Sequence, residues 1–193
     1  MPLPTSPLRY VGDLSRNDAA CLAELAGRHR RIIEFGVGAS TQIFAQTGGV
    51  GATIVSLDRA AVWIERTRVI VDLLAPESAV RFVHFERLSV LDAFQDSAFD
   101  LIFDDGDDDL RLEFALAAWR LLAPGGLLVL HDTRRPRDIG NALTVAARFY
   151  REIGRIDVNP DDTNLTITHK TEARPMAAQP ERSPERRHKT PPR

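Results

Sequence analysis

The sequence predicts a doubly wound α/β domain, in which a mostly parallel sheet of seven strands ends in an antiparallel hairpin. Short apolar runs alternate with helix-length segments along most of the chain, and two strand-length stretches follow one another near its end. Strands that alternate with helices form right-handed βαβ units, which place helices on both faces of a parallel sheet. A length of 193 residues suits a single core.

Apolar spacing and turn residues locate the individual elements. Ser15, followed by Asp18 and an apolar face, is typical of a capped helix start, and this helix should end near Gly27. The strand-length apolar runs are 31–35, 53–57, 80–85, 99–103 and 127–130. The later segments with helical spacing are 41–46, 61–74, 110–122 and 139–150.

The last two predicted strands, 153–158 and 164–169, are joined by a turn sequence that contains Pro160. Because a parallel crossover needs a dozen or more residues, these strands must be antiparallel. The sequence therefore divides into an irregular N-terminal segment at 1–14, a domain at 15–170 and a basic, Pro-rich tail at 171–193. The tail is too poor in apolar residues to offset its ordering entropy, so we expect it to be disordered.

Charge and cysteine content restrict the partners and the compartment. A net charge of -2 and a pI near 6.2 provide no basic field for nucleic acid or an anionic membrane. No apolar run reaches the roughly 18 residues of a membrane span, and the N-terminus lacks the regions of a secretory signal. The single cysteine, Cys21, excludes an intramolecular disulfide and favours a reducing compartment, so we expect a cytoplasmic protein.

A glycine turn follows the first strand, within the stretch 32–41. Gly36 and Gly38 let the backbone approach a ligand, and Ser40 can cap the helix that follows. Asp58 ends the second strand about 20 residues later, where a carboxylate can accept both hydroxyls of a ribose. An ordinary tight turn and a helix-capping aspartate are the alternatives, but the two features together indicate a nucleotide-like ligand.

Two more motifs complete a series that resembles a known family. The stretch 99–103, Phe-Asp-Leu-Ile-Phe, leads into an acidic run, and 121–126, Leu-Leu-Ala-Pro-Gly-Gly, precedes a strand that ends in His131-Asp132-Thr133. Together with the glycine turn and Asp58, these motifs resemble those of class I methyltransferases that use S-adenosylmethionine (SAM). Within that superfamily, the Asp-Gly-Asp at 105–107 is similar to the methyltransferase-24 type, which includes small-molecule O-methyltransferases.

The resemblance implies a Rossmann-like fold and a SAM site at the strand ends. The methionine portion of SAM would lie at the glycine turn, the ribose at Asp58, and the adenine near Arg59 and the segment 87–89. The implied cofactor-binding residues are Glu34, Gly36, Gly38, Ser40, Asp58, Arg59, Leu88, Ser89 and Asp105. Trp63 either stacks on the ligand or belongs to the core.

The candidate catalytic residues are Asp105, His131 and Asp132, at the ends of the fourth and fifth strands. Asp105 and Asp132 could share a divalent cation such as Mg²⁺ or Mn²⁺, with Asp107 or Thr133 completing the site. The alternative is a solvated acidic loop at a helix N-terminus. His131 is either a base near neutral pH or a structural histidine.

The family usually continues Asp-Gly-Asp with His-x-Tyr, whereas this chain has Asp108-Asp109-Leu110. The base role of the family's histidine is therefore in doubt here. The resemblance still implies methyl transfer to a small-molecule acceptor, because this displacement mainly requires alignment. Oxygen is the preferred acceptor atom, since a metal ion or a base such as His131 would help to remove the proton of a hydroxyl.

Two other functions stay open. A SAM-binding or interaction protein without catalysis would explain the lost histidine and tyrosine. A nicotinamide-dependent oxidoreductase could also use the glycine turn, although the missing third glycine and the terminal hairpin count against it. Because only 2–14 and 134–138 could form a lid, a homodimer partner is one way to complete the substrate site.

Overall fold

The computed structural model describes residues 8–172, so the predicted disordered tail lies outside the described residues from 173 onward. Residues 8–14 belong to no helix or strand. The helices are α1 (Arg16–Arg28), α2 (Ala39–Thr47), α3 (Ala61–Leu74), α4 (Arg111–Ala118) and α5 (Pro136–Arg148). The strands are β1 (Arg31–Phe35), β2 (Thr53–Asp58), β3 (Val80–His84), β4 (Phe99–Asp104), β5 (Leu122–His131), β6 (Ile153–Val158) and β7 (Leu165–Lys170). Short 3-10 helices lie at Leu88–Ala93, Trp119–Leu121 and Pro160–Asp162.

The seven strands form one sheet in the order β3-β2-β1-β4-β5-β7-β6. The first five are parallel, and β7 pairs antiparallel with both β5 and β6. The predicted doubly wound sheet with a terminal hairpin is confirmed. Strand order reverses between β1 and β4, and open α/β sheets bind their ligands outside the carboxyl ends of the strands at such a switch point.

Alternate residues of the parallel strands enter two cores, one on each face of the sheet. Ile32 belongs to the core that contains Leu22 of α1, whereas Ile33 belongs to the core that contains Phe114 of α4 and Val145 of α5. Strands buried on both faces have nearly continuous apolar sequences, which explains why their predicted bounds agree closely with the structure.

The largest differences from the predicted bounds surround β5. This strand begins at Leu122, so that α4 ends at Ala118 and a 3-10 turn fills the gap. The Pro-Gly-Gly stretch lies inside the strand, where Gly125 has a φ of 78° and the pairing with β4 shifts register. Irregular pairing of this kind accommodates proline and glycine in a strand. Helix α5 starts early because Pro136 fits a first helical turn, where its missing N–H is not needed.

The N-terminal cap of α1 has the predicted geometry. The Ser15 side chain accepts a hydrogen bond from the backbone N–H of Asp18 at 3.0 Å. Within residues 8–172, none of the helices has the length and apolarity required to cross a lipid bilayer.

Candidate active site

A cavity of about 1300 Å³ opens at the carboxyl ends of β1, β2, β4 and β5. The segment 11–15 covers one side, α3 forms another, and the loops after β4 and β5 form the rest. The sequence-predicted residues that line it are Gly36, Gly38, Ser40, Asp58, Asp105, His131 and Asp132. Residues from four strand ends therefore meet in one cavity, as the topology requires.

Gly36 is the point where β1 and β4 come closest at this edge. It has a φ of 94°, and a Cβ added there would lie 2.3 Å from the carbonyl oxygen of Asp105. The Asp105 backbone N–H donates to the carbonyl of Phe35 at 2.8 Å, which holds the two chain segments together. A side chain at position 36 would therefore force the strand ends apart. Gly38 has open space around it, so its backbone is accessible from the cavity.

Asp58 stands at the end of β2 with its carboxylate fixed by two backbone groups. The N–H of Val37 donates to Oδ2 at 2.9 Å, and that of Ala60 donates to Oδ1 at 2.7 Å. Each carboxylate oxygen can accept more than one hydrogen bond, so both keep capacity for a ligand hydroxyl. This geometry suits the predicted contact with a ribose.

Glu34 lies beneath the cavity and is fully buried. Its two oxygens accept hydrogen bonds from Ser40 Oγ at 2.6 Å and Ser56 Oγ at 2.5 Å. Burial raises the pKa of this carboxyl from its usual 4.5 to about 7, although the two hydroxyls favour the charged form. Glu34 therefore supports the glycine turn from below and does not line the cavity.

The residues predicted near the adenine are placed apart from the cavity. Leu88 packs against the core that contains Ile33, and neither it nor Ser89 lines the cavity wall. Arg59 pairs with Asp107 at 3.2 Å on the rim. The wall on this side comes instead from α3, including Trp63, which is 51% exposed and so does not belong to the core.

The ends of β4 and β5 bring three candidate catalytic side chains together. His131 Nδ1 lies 3.0 Å from Asp105 Oδ1 and 3.6 Å from Asp132 Oδ1. Because a carboxylate only accepts hydrogen bonds, Nδ1 carries the proton of the shorter contact. Neither Asp107 nor Thr133 completes a cation site: the first is on the rim, and the second bonds to Asn159 and Thr166. The third side chain whose ligand atom lies close to those of Asp105 and Asp132 is His131.

The electrostatic surroundings of His131 raise its pKa above the usual 6.5. Burial opposes the charged ring, but the hydrogen bond to Asp105 and the charges of Asp105, Asp132 and Asp18 outweigh it. Nε2 is closed to solvent, accepts no hydrogen bond within residues 8–172, and lies 3.6 Å from Asp18 Oδ2. The ring thus faces Asp105 on one side and Asp18 on the other.

Arg111 is the central cation of this group and was not among the residues predicted from the sequence. Its side chain is 9% exposed. Nη2 donates to Asp105 Oδ1 at 2.8 Å, Nη1 donates to Asp132 Oδ2 at 3.2 Å, and Nε donates to the carbonyl of Gly106 at 2.9 Å. A sequence clue exists, since Arg111 shares the buried face of α4 with Phe114. An arginine on the apolar face of a helix after an acidic run indicates a buried ion pair.

Asp18 and Asn164 also reach the site from distant parts of the chain. The Asn164 backbone N–H donates to Asp18 Oδ1 at 2.6 Å, and its side chain donates to Asp132 Oδ1 at 3.0 Å. No local pattern could reveal contacts between residues so far apart. Asp104, the first acid of the run, points away from the cavity and is fully buried. Burial raises its pKa well above the usual value.

Comparisons with known proteins agree with this architecture. A methyltransferase domain family matches residues 33–133, just over half of the chain. No match was found among curated proteins. A protein from Corynebacterium glutamicum has a similar structure, with a TM-score of 0.68 and 18% identity over 85% of each chain.

Two further similar structures contain the cofactor or its product. An O-methyltransferase from Bacillus cereus in complex with S-adenosylhomocysteine (SAH) has a TM-score of 0.65 and 19% identity, over 88% of this chain and 84% of that one. The O-methyltransferase TomG from Streptomyces achromogenes, in complex with SAM, has a TM-score of 0.61 and 19% identity over 82% of each chain. The matched family, the motifs and the strand order lead to one conclusion: the chain belongs to the methyltransferase-24 type of class I SAM-dependent methyltransferases.

Proposed function

We propose that this protein transfers a methyl group from SAM to a hydroxyl oxygen of a small-molecule acceptor. The observation that carries the proposal is one cavity lined by both a ribose-type carboxylate, Asp58, and a polar group around Asp105. Bound SAM supplies an electrophilic methyl carbon, which bonds to the acceptor oxygen while the electrons of the broken carbon–sulfur bond remain on sulfur.

The chain's first task is to hold the cofactor. Asp58 would accept the ribose hydroxyls with the oxygens that Val37 and Ala60 already orient. The backbone of Gly36 and Gly38 would accommodate the methionine portion, as the family resemblance implies. Trp63 offers an exposed aromatic face on the α3 wall, which can cover a flat heterocycle.

The second task is to orient the acceptor and take up its proton. Asp105 lines the cavity and is 24% exposed, and its Oδ1 is held by Arg111 and His131. Its Oδ2 accepts no hydrogen bond from residues 8–172, so this oxygen can accept one from a substrate hydroxyl. We assign proton uptake to Asp105 rather than directly to His131, whose Nε2 is closed to solvent.

The charge on His131 then affects this proton transfer. A positively charged ring beside a carboxylate stabilises the charged form of the carboxylate and weakens it as a base. The rate should therefore increase when His131 loses its proton. A neutral ring can still orient Asp105 through the Nδ1–H group.

The third task, exclusion of water, falls to the segment 11–15. The Gln42 side chain of α2 accepts from the N–H of Val11 at 2.8 Å and donates to its carbonyl at 3.0 Å. Gln46 makes the same pair of contacts with Arg9, at 3.4 Å and 2.7 Å. These contacts hold the segment along α2, where residues 11–15 form one side of the cavity.

Calorimetry with SAH and NADH tests the cofactor assignment. The wild-type protein should bind SAH and not NADH, and Asp58→Ala should weaken SAH binding by about 1.5 to 3 kcal/mol, the scale for losing hydrogen bonds to a charged group. Asp72→Ala, an exposed position on the outer part of α3, serves as the control and should bind SAH normally. If the wild-type protein binds NADH and does not bind SAH, the proposal is wrong. If a folded Asp58→Ala variant binds SAH normally, the ribose does not bind at Asp58.

A further inference from the structure

We propose that Arg111 is the resident cation of the acceptor site, so that its guanidinium holds Asp105 and Asp132 where a divalent metal ion would otherwise bind. The inference rests on the proposed function only for its effect on turnover. Its structural part concerns which charge occupies the strand ends, and that part can be measured without a substrate.

The three side chains in question would make a reasonable cation site if they stood alone. Asp105, His131 and Asp132 each offer a ligand atom, and these atoms lie within 4.8 Å of one another. Two carboxylates and an imidazole suit Mn²⁺ and related ions. The short distances between these ligand atoms therefore do not exclude a metal ion by themselves.

The hydrogen bonds of these atoms favour arginine instead, because protein donors already bind three of the four carboxylate oxygens and leave only Asp105 Oδ2 without a donor from residues 8–172. Asp105 Oδ1 accepts from Arg111 Nη2 and from His131 Nδ1. Asp132 Oδ1 accepts from Asn164, and Asp132 Oδ2 accepts from Arg111 and Arg135. His131 Nδ1 carries a proton and so has no lone pair for a metal. The donor set does not fit a divalent ion in this arrangement.

Charge leads to the same conclusion. A metal ion binds carboxylate oxygens at about 2.0 to 2.6 Å, while the Arg111 nitrogens lie 2.8 and 3.2 Å from oxygens of the same two carboxylates. The two positive charges would be close neighbours in a poorly hydrated place, where repulsion between like charges is strong. Arg111 Nη1 also lies 3.7 Å from Oδ1 of Asp138, a buried carboxylate that further anchors the guanidinium.

The geometry makes Arg111 a positioning residue. Its planar guanidinium can bind both carboxylates at once, whereas a lysine ammonium is a single point charge. Arg111 also donates to the carbonyl of Gly106 and so ties the loop after β4 to the start of α4. The orientation of Asp105 toward the acceptor therefore depends on Arg111.

Titration with Mn²⁺, followed by the electron paramagnetic resonance of the free ion, tests this inference. Wild-type protein should leave Mn²⁺ free, and Arg111→Ala should bind it about tenfold or more tightly than wild type, since the change removes the nearest positive charge. Arg120→Ala is the matched control: Arg120 also pairs with two aspartates, Asp92 and Asp96, at the surface. That variant removes an arginine from two carboxylates but should not gain Mn²⁺ binding.

Arg111→Lys keeps the inference testable if the alanine variant does not fold. It should exclude Mn²⁺ and bind SAH like wild type, but turn over about tenfold or more slowly, because one ammonium group cannot orient both carboxylates. Wild-type activity should be unaffected by a chelator. Tight Mn²⁺ binding by wild type that is lost in Asp132→Asn would overturn the inference, as would a folded Arg111→Ala variant that leaves Mn²⁺ free. Because none of the Mn²⁺ measurements needs turnover, failure of the methyltransferase proposal would be seen separately, as absent SAH binding.

Discussion

The two halves of the cavity are built in different ways. At the ends of β1 and β2, two backbone N–H groups, from Val37 in the glycine turn and from Ala60, fix the carboxylate of Asp58. At the ends of β4 and β5, Arg111 joins carboxylates from separate elements, and Asp18 and Asn164 add contacts from the two ends of the domain. We name these the cofactor half and the acceptor half after the roles proposed above: the first is built on backbone groups, and the second on ion pairs between side chains.

This difference indicates where the protein is specialised. A half built from backbone groups can hold the same cofactor with many sequences around it. A half built from paired charges is sensitive to each side chain, because removal of one partner leaves another buried charge uncompensated. Substitutions in the two halves should therefore separate catalysis from cofactor binding.

The largest effect should come from Asp105→Asn in the acceptor half. Loss of the carboxylate should slow turnover by about 10² to 10⁴-fold, the usual contribution of a positioned acid or base. SAH affinity should remain close to wild type, because Asp58 and the glycine turn are unchanged. Asp109→Asn, an exposed change in the same acidic run, should retain turnover. If Asp105→Asn turns over normally, the acidic run is only a solvated loop.

The pH dependence of wild-type turnover sharpens this assignment. Burial opposes the charged ring of His131, but the hydrogen bond to Asp105 and the charges of Asp105, Asp132 and Asp18 raise its pKa above the usual value. Turnover should increase with pH and reach its inflection above 6.5, as the ring becomes neutral. The pH–rate profile of the control variant His131→Gln should lack this inflection. A profile identical in both proteins would remove His131 from the mechanism.

In the cofactor half, Glu34 should make stability depend on pH. Its folded pKa of about 7 lies above the usual 4.5, so the folded state gains stability from the bound proton at low pH and loses it as pH rises through 7. The free energy of unfolding of wild type, relative to Glu34→Gln, should fall by about 3 kcal/mol at most over this range. Urea denaturation at several pH values measures it. A constant difference between the two proteins would show that Glu34 keeps the same charge throughout.

The smallest effect concerns the point where the two halves meet. Gly36→Ala should destabilise the fold by about 1 to 3 kcal/mol, because its Cβ would collide with backbone atoms that cannot rotate away. Gly38→Ala is the matched control, since a Cβ at this position would meet open space. Thermal unfolding of both variants checks the comparison. Equal stability would mean that the strand ends can separate without cost.

Local sequence patterns predicted most of the elements that form the cofactor half. The bounds of β1 and α3 were predicted without error, because apolar periodicity reflects burial on one or two faces of an element. Asp58 and Gly36 were found from the ends of strands and from a turn. Arg59, Leu88 and Ser89 came only from the family resemblance, and the structure leaves them outside the cavity.

The sequence by itself determined the alternation of strands and helices, the terminal hairpin and the residues that stand at each strand end. These properties depend on interactions between residues that are close along the chain. Only the tertiary structure decided that Arg111 bridges Asp105 and Asp132, and that Asp18 contacts Asn164. Which charged side chain pairs with which depends on the packing of separate elements, and burial makes each such pairing strong. The charge that occupies the acceptor site therefore follows from the fold and not from any single motif.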